Sequence, residues 1–266
     1  MRLRLPLSLT SVFALGLAVS AMAQTRPLLT EEAHTAPAGS IVLEAGASAI
    51  DAEPSFLSGA ERTRIDVPTL RLVYSPADNV EIDVDWVGRV IAVDDPDYGT
   101  VSDWGDVTMR AKVRFAEERE GRPAFAARFG VTLPETSFTK EALGPNTLRM
   151  SAQLLLSKKV GAVETHLNAG LSIQDDPLDA HEQRDFLHYG VALELPFSES
   201  WRALAEVAGL AGSGRPGADE HAEVRAGVRL GSGSLRGDVA VRRGLLEADG
   251  KWGVSAGVSW KIQEHR

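Results

Sequence analysis

The sequence predicts an all-β fold, an up-and-down antiparallel transmembrane β-barrel of about 12 strands. Three observations carry that reading. Segment after segment alternates apolar and polar residues with period two, the mark of a sheet with unlike faces. The connections between segments alternate short and long along the whole chain. The chain also opens with an export signal.

Arg2 and Arg4 precede an apolar stretch from Leu5 to Val19, and Ala21-Met22-Ala23 offers small residues at the −3 and −1 positions. This predicts a cleaved signal peptide over residues 1–23, with the cut before Gln24 and residues 24–266 left as one barrel domain. Only Arg2 and Arg4 are charged in the leader, so its removal takes the net charge from −9 to −11. An acidic balance gives no hint of a nucleic-acid partner. With 44% hydrophobic and 24% charged residues, the chain is neither disordered nor a bundle of membrane helices. It has no cysteine, which excludes disulfides, thiolate metal sites, cysteine nucleophiles and a lipoprotein anchor.

The expected strands lie near 40–49, 65–74, 79–89, 104–116, 122–132, 147–158, 161–173, 186–196, 200–210, 221–231, 233–242 and 252–262. In the third, Val80, Ile82, Val84 and Trp86 alternate with Glu81, Asp83 and Asp85. In the fourth, Val107, Met109, Ala111, Val113 and Phe115 alternate with Thr108, Arg110, Lys112 and Arg114. In the seventh, Val163, Thr165, Leu167, Ala169 and Leu171 alternate with Glu164, His166, Asn168, Gly170 and Ser172. A helix would scatter each pair of sets around its circumference. Several segments reach about ten residues, enough to cross a bilayer at a tilt of about 45°. The connections at 75–78, 117–121, 159–160, 197–199 and 232 are short; those at 50–64, 90–103, 133–146, 174–185, 211–220 and 243–251 are longer and rich in Asp, Glu, Gly and Pro.

The polar face is too charged for a packed interior, because isolated buried charges are costly. A watery or salt-bridged lumen accepts it. The lumen-lining candidates are Glu81, Asp83, Asp85, Arg110, Lys112, Arg114, Arg128, Arg149, Glu164, His166, His188, Glu194, Arg225 and Arg229. The apolar face then meets outer-membrane lipid, with Tyr74, Trp86, Trp201, Trp252 and Trp260 near strand ends as interfacial girdles. Lipopolysaccharide and the barrel-assembly machinery are the partners such a barrel would have. As antiparallel neighbours, strands three and four would set Glu81, Asp83 and Asp85 against Arg110, Lys112 and Arg114 in one inner ladder. That ladder either screens solutes by a transverse field or fills a narrow interior and blocks it.

Residues 103–171 resemble a known family. Asp103-Trp104-Gly105-Asp106 leads into a strand with basic inward residues, and Val131-Thr132-Leu133-Pro134 opens a loop. Leu154-Leu155-Leu156-Ser157-Lys158 then precedes Thr165-His166-Leu167-Asn168-Ala169-Gly170. This is similar to the outer-membrane transporter family named after the MetA pathway of phenol degradation. The resemblance implies a barrel in the outer membrane of a Gram-negative-type bacterium that passes small, often hydrophobic or aromatic, compounds. Glu135-Thr136 stands where that family has Thr-Gly, and Trp260 is followed by six more residues rather than a terminal aromatic.

The chemical motifs are weak. Gly212-Ser213-Gly214-Arg215-Pro216-Gly217 has the letters of a dinucleotide fingerprint, but it falls between two strands instead of opening a helix. His181-Glu182 lacks the second histidine of a zinc protease, and no Gly-x-Ser-x-Gly elbow is present. Asp94, Asp95, Asp97, Asp103 and Asp106 form one acidic group and Asp175, Asp176, Asp179 and Glu182 another, neither with EF-hand spacing. They read as solvated loops first and as divalent-cation bridges second. His166 and His188, with Glu164 and Glu194, read as polar lumen residues before a metal site or proton-sensitive gate. Ser151 and Ser172 face inward without a catalytic partner nearby. The expectation is a non-enzyme with no cofactor and no metal, serving passive passage or uptake of a small-molecule solute. The alternative is a non-conducting structural or adhesive barrel whose acidic outer loops bind a partner or divalent cations.

Overall fold

The computed structural model describes residues 26–136, 141–212, 214–215 and 217–263. The expected signal peptide lies outside the described residues. The chain forms β1 (Ile41–Pro54), β2 (Glu61–Ala77), β3 (Val80–Val87), β4 (Val90–Asp95), β5 (Gly99–Asp103), β6 (Val107–Ala116) and β7 (Ala124–Leu133). It continues through β8 (Arg149–Val160), β9 (Val163–Asp176), β10 (Asp179–Ser198), β11 (Trp201–Gly212), β12 (His221–Leu230), β13 (Leu235–Gly244) and β14 (Trp252–Gln263). Every pairing is antiparallel, and β1 pairs with both β2 and β14, so the sheet closes on itself.

The wall of this barrel has twelve strands, because β4 and β5 form a hairpin beside it rather than a stave. β2 pairs with β3 through Thr69–Ala77 and with β4 through Thr63–Asp66. Between those stretches sits Pro68, which has no N–H to donate. Gly88 fills the gap by donating to the Pro68 carbonyl at 2.8 Å, and there the chain jogs from β3 into β4.

All twelve wall strands overlap the expected segments, and the short connections form one rim. The other rim departs from expectation in its detail. The expected loops over 50–64 and 174–185 are largely strand: β1 runs to Pro54, β2 starts at Glu61, and β9 and β10 leave only residues 177–178 between them. Their charges pair across the extended hairpins, with Arg64 at 3.3 Å from Glu53 and Arg184 at 3.1 Å from Asp176, so the ladder continues where alternation has stopped. Residues 90–103, also expected as loop, are the β4–β5 hairpin.

Burial is inverted relative to a soluble protein. Leu72, Ile82, Val84, Met109, Phe129, Leu154, Leu171 and Val239 are exposed on the outside, whereas Glu44, Glu81, Asp83, Lys112, Glu206 and Asp238 are buried within. Tyr74, Trp201 and Trp260 lie toward the short-turn rim. Trp252 and Trp86 lie toward the long-loop rim, where Trp86 stacks on Trp104 at 5.8 Å. The buried apolar groups are small and local: Ala33 with Ala124, Ala126 and Leu155, and Leu28 with Ala192 and Leu204. Ala33 and Leu28 precede β1, so these contacts belong to a segment lying inside the barrel.

Candidate functional site: a lumen divided by an inner segment

The inward positions of β3 and β6 meet in register, Glu81 opposite Lys112 and Asp83 opposite Arg110. Both couples form ion pairs, at 2.6 and 2.7 Å. Two members of the expected ladder stand elsewhere. Asp85 lies opposite Thr108, and its charge is met by Arg110 and, at 3.8 Å, by Arg71. Arg114 lies beyond the paired part of β3, at the rim, where it binds Glu117 at 3.1 Å and the Asp78 carbonyl at 2.9 Å. The reason is length: β3 begins at Val80, one step short of a partner for Arg114.

Residues 26–40 enter from the short-turn rim and occupy the lumen. Gly39 donates to the Ser75 carbonyl at 2.7 Å there. Further in, the wall supplies acceptors to the segment's backbone: Asp78 to Ala38 at 2.8 Å, Glu81 to Ala36 at 2.6 Å and Ser157 Oγ to Ala33 at 2.7 Å. Glu206 accepts from the N–H groups of Leu29 and Thr30, both at 2.8 Å. Arg225 donates to the Pro27 carbonyl and Arg229, at 2.7 Å, to that of Arg26. The segment has no regular secondary structure of its own, so these contacts satisfy main-chain groups that would be costly to bury unpaired. Its side chains pair as well. Glu31 sits between Arg71 at 2.9 Å and Arg128 at 2.6 Å, and Arg26 reaches Thr69 Oγ1 at 3.0 Å and the Ala256 carbonyl at 2.9 Å. A side chain at Gly46 or Gly257 would strike Arg26, and one at Gly190 would strike Thr30.

The segment leaves a vestibule on each side. The one toward the short turns, about 520 Å³, is lined by Glu32, Glu164, His166, Glu194, Arg202 and Arg236 among others. Glu194 binds Arg229 at 2.9 Å, Glu164 binds Arg202 at 3.0 Å, and His166 Nδ1 meets Ser157 Oγ at 2.8 Å. Glu164, His166 and Glu194 bring their ligand atoms within 4.8 Å of one another, close enough for a metal ion, yet both carboxylates are committed to arginines. At the rim, burial lowers the affinity of His34 for a proton. Burial opposes ionisation of Glu118, but the Lys159 N–H at 3.0 Å and Lys158 at 3.2 Å hold its carboxyl below the usual range.

The vestibule toward the long loops, about 390 Å³, is lined by six arginines and four carboxylates together with apolar side chains. Arg149 binds Asp106 at 2.6 Å on its edge. Of the remaining lumen candidates, Arg225 binds Glu206 at 3.5 Å, and His188 Nδ1 meets Gln153 Nε2 at 2.8 Å. The acidic loop groups are spent on local structure. Asp95 binds Arg62 at 3.1 Å and accepts from Asp97 and Tyr98, while Asp176 accepts from Leu178 at 2.9 Å.

Sequence reasoning left out Glu44, Arg71, Arg202 and Glu206, each at an inward position of a segment read as strand, where strict alternation would have found them. Glu31 and Arg26 had no such signal, because they precede the first alternating segment.

No family model matches the sequence. No curated protein matches it either. Solved structures do match. An outer membrane channel from Pseudomonas putida F1 shares 17% identity over 86% of this chain and 97% of that one, with a TM-score of 0.65. The translocator domain of the autotransporter NalP from Neisseria meningitidis covers 84% of this chain and 88% of its own, at 13% identity and a TM-score of 0.51. The KdgM porin covers 84% and 99%, at 8% identity and a TM-score of 0.50. The likeness is one of fold, the closed antiparallel barrel.

Proposed function

We propose that this chain is an outer-membrane channel for passive uptake of small molecules, its path narrowed by residues 26–40. The observation that carries the reading is the pairing of an apolar exterior with a charged, cavity-bearing interior on both sides of the segment. Residues 1–23 would direct export, the short turns would face the periplasm, and the exterior would meet outer-membrane lipid and lipopolysaccharide after insertion by the barrel-assembly machinery. The reading is non-enzymatic: the Ser157 hydroxyl beside His166 is engaged with the Ala33 N–H and covered by the segment. The P. putida barrel is described as a channel and KdgM as a porin, which supports passage.

The segment itself favours a second reading, a closed structural barrel. Single-channel recording of the chain refolded without residues 1–23 separates the two. Ion-selective steps are expected, with larger steps when residues 26–36 are also deleted. Stable insertion with no conductance, and large steps only in the deletion variant, would leave the closed barrel.

A further inference from the structure

We propose that the vestibule toward the long loops binds a small apolar molecule bearing one carboxylate, and that this is the solute class the channel selects. The inference rests on the uptake reading above and deepens it. The vestibule is lined by six arginines, five of which also pair with carboxylates behind the lining: Arg71, Arg110 and Arg128 with Asp83, Arg64 with Asp66, and Arg26 with Asp238. Two of those arginines, Arg110 and Arg149, keep donors to spare among the described residues. Arg128 is not one of them: it binds Glu31 through Nη1, faces Asp83 from Nη2 at 3.7 Å, and buries both Nε and Nη2 away from the cavity. Arg110 meets its carboxylates through Nη1 alone, and Arg149 holds Asp106 through Nη2 alone. A guanidinium presents its N–H groups as a planar fork that matches a carboxylate, and buried donors left unmatched are costly.

The rest of the lining is unlike that of a bare anion site. Leu29, at 49% exposure, projects from the inner segment, and Val87, Val90, Leu143 and Pro145 form an apolar wall of the same cavity. A volume of about 390 Å³ suits a single ring or short chain with its acid group, at the small end of ligand pockets. A neutral apolar solute would leave the arginine donors unmatched, and a bare inorganic anion would leave the apolar wall wet. The vestibule toward the short turns makes the contrast, since its five basic side chains are matched by five carboxylates.

The test is calorimetric titration of the refolded chain in non-ionic detergent, with empty micelles as the blank. Benzoate, benzyl alcohol, benzylammonium and acetate separate the acid group from the apolar body. Benzoate is expected to bind at least about tenfold more tightly than the other three, as one charge-assisted bidentate contact allows. Arg149→Gln and Arg110→Lys should each weaken benzoate and leave benzyl alcohol unchanged; the second keeps the charge and removes only the fork. Equal binding of benzoate and benzyl alcohol, or of benzoate and acetate, would overturn the proposal. So would variants that weaken benzoate and benzyl alcohol alike. Binding needs no conductance: benzoate bound by a barrel that never conducts would refute the uptake reading and keep the site, whereas a conducting barrel that ignores benzoate would do the reverse.

Discussion

The inner segment is held in two different ways by two parts of the wall. β2 and β7 meet it through a side chain, with Arg71 and Arg128 closing on Glu31. β11 and β12 meet it through its main chain, with Glu206 accepting from Leu29 and Thr30 and Arg229 donating to the Arg26 carbonyl. The first grip demands one residue type at one position. The second tolerates any residue that fits the space, because every residue offers the same N–H and C=O. A plug can therefore be anchored largely without a sequence signature, with Glu31 and Arg26 as the charged side chains that fix it to the wall.

Breaking the side-chain grip should have the largest effect. Glu31→Ala leaves Arg71 and Arg128 to share Asp83 alone, at 3.2 and 3.7 Å, and losing one partner of a buried ion pair costs about 3–5 kcal/mol. The midpoint of the heat- or urea-induced gel shift of the barrel should fall accordingly. If E31A leaves that midpoint unchanged, the arginines are neutralised by Asp83 alone and the comparison fails. Breaking the main-chain grip should cost less. Glu206→Ala removes the acceptor of the Leu29 and Thr30 N–H groups, worth about 1–3 kcal/mol, and leaves Arg225 paired with Glu223. Its signature is faster hydrogen exchange at Leu29 and Thr30, with Ala36 still protected by Glu81. Loss of protection along the whole segment would mean that the two grips act as one.

The smallest effect lies outside the lumen, in the loop before β14. Burial there opposes ionisation of Asp249, but hydrogen bonds from His221 at 2.8 Å and from the N–H groups of Ala222 and Leu246 at 3.0 Å hold its carboxyl below the ordinary range. A depressed folded-state pKa contributes stability that is present above the unfolded value and lost as pH falls through the folded one. The Asp249 contribution should thus persist at pH 5 and disappear only below the ordinary carboxylate value of 3.8. Asp249→Asn should lower stability by about 1 kcal/mol at neutral pH and make no difference in strong acid. A difference that survives at pH 2 would assign the effect to packing.

The barrel was legible because its two faces meet opposite solvents. Val80, Ile82 and Val84 against Glu81, Asp83 and Asp85 spell out a strand whose outside is apolar and whose inside is charged. The same alternation placed Lys112, Arg128, His166 and Glu194 indoors, where they are buried. It failed at the long-loop rim. The β1–β2 and β9–β10 hairpins run on past the apolar band, and a ladder in which polar residues face both sides has no period to read.

The sequence by itself determined the strand count, the export expectation and which side chains face inward, since each follows from local pattern. Tertiary structure alone decided that residues 26–40 fold back into the lumen. Nothing local in Arg26–Ser40 specifies that course. Its backbone groups are matched by side chains as distant in sequence as Glu206, Arg225 and Arg229, and those partners come together only when the barrel closes.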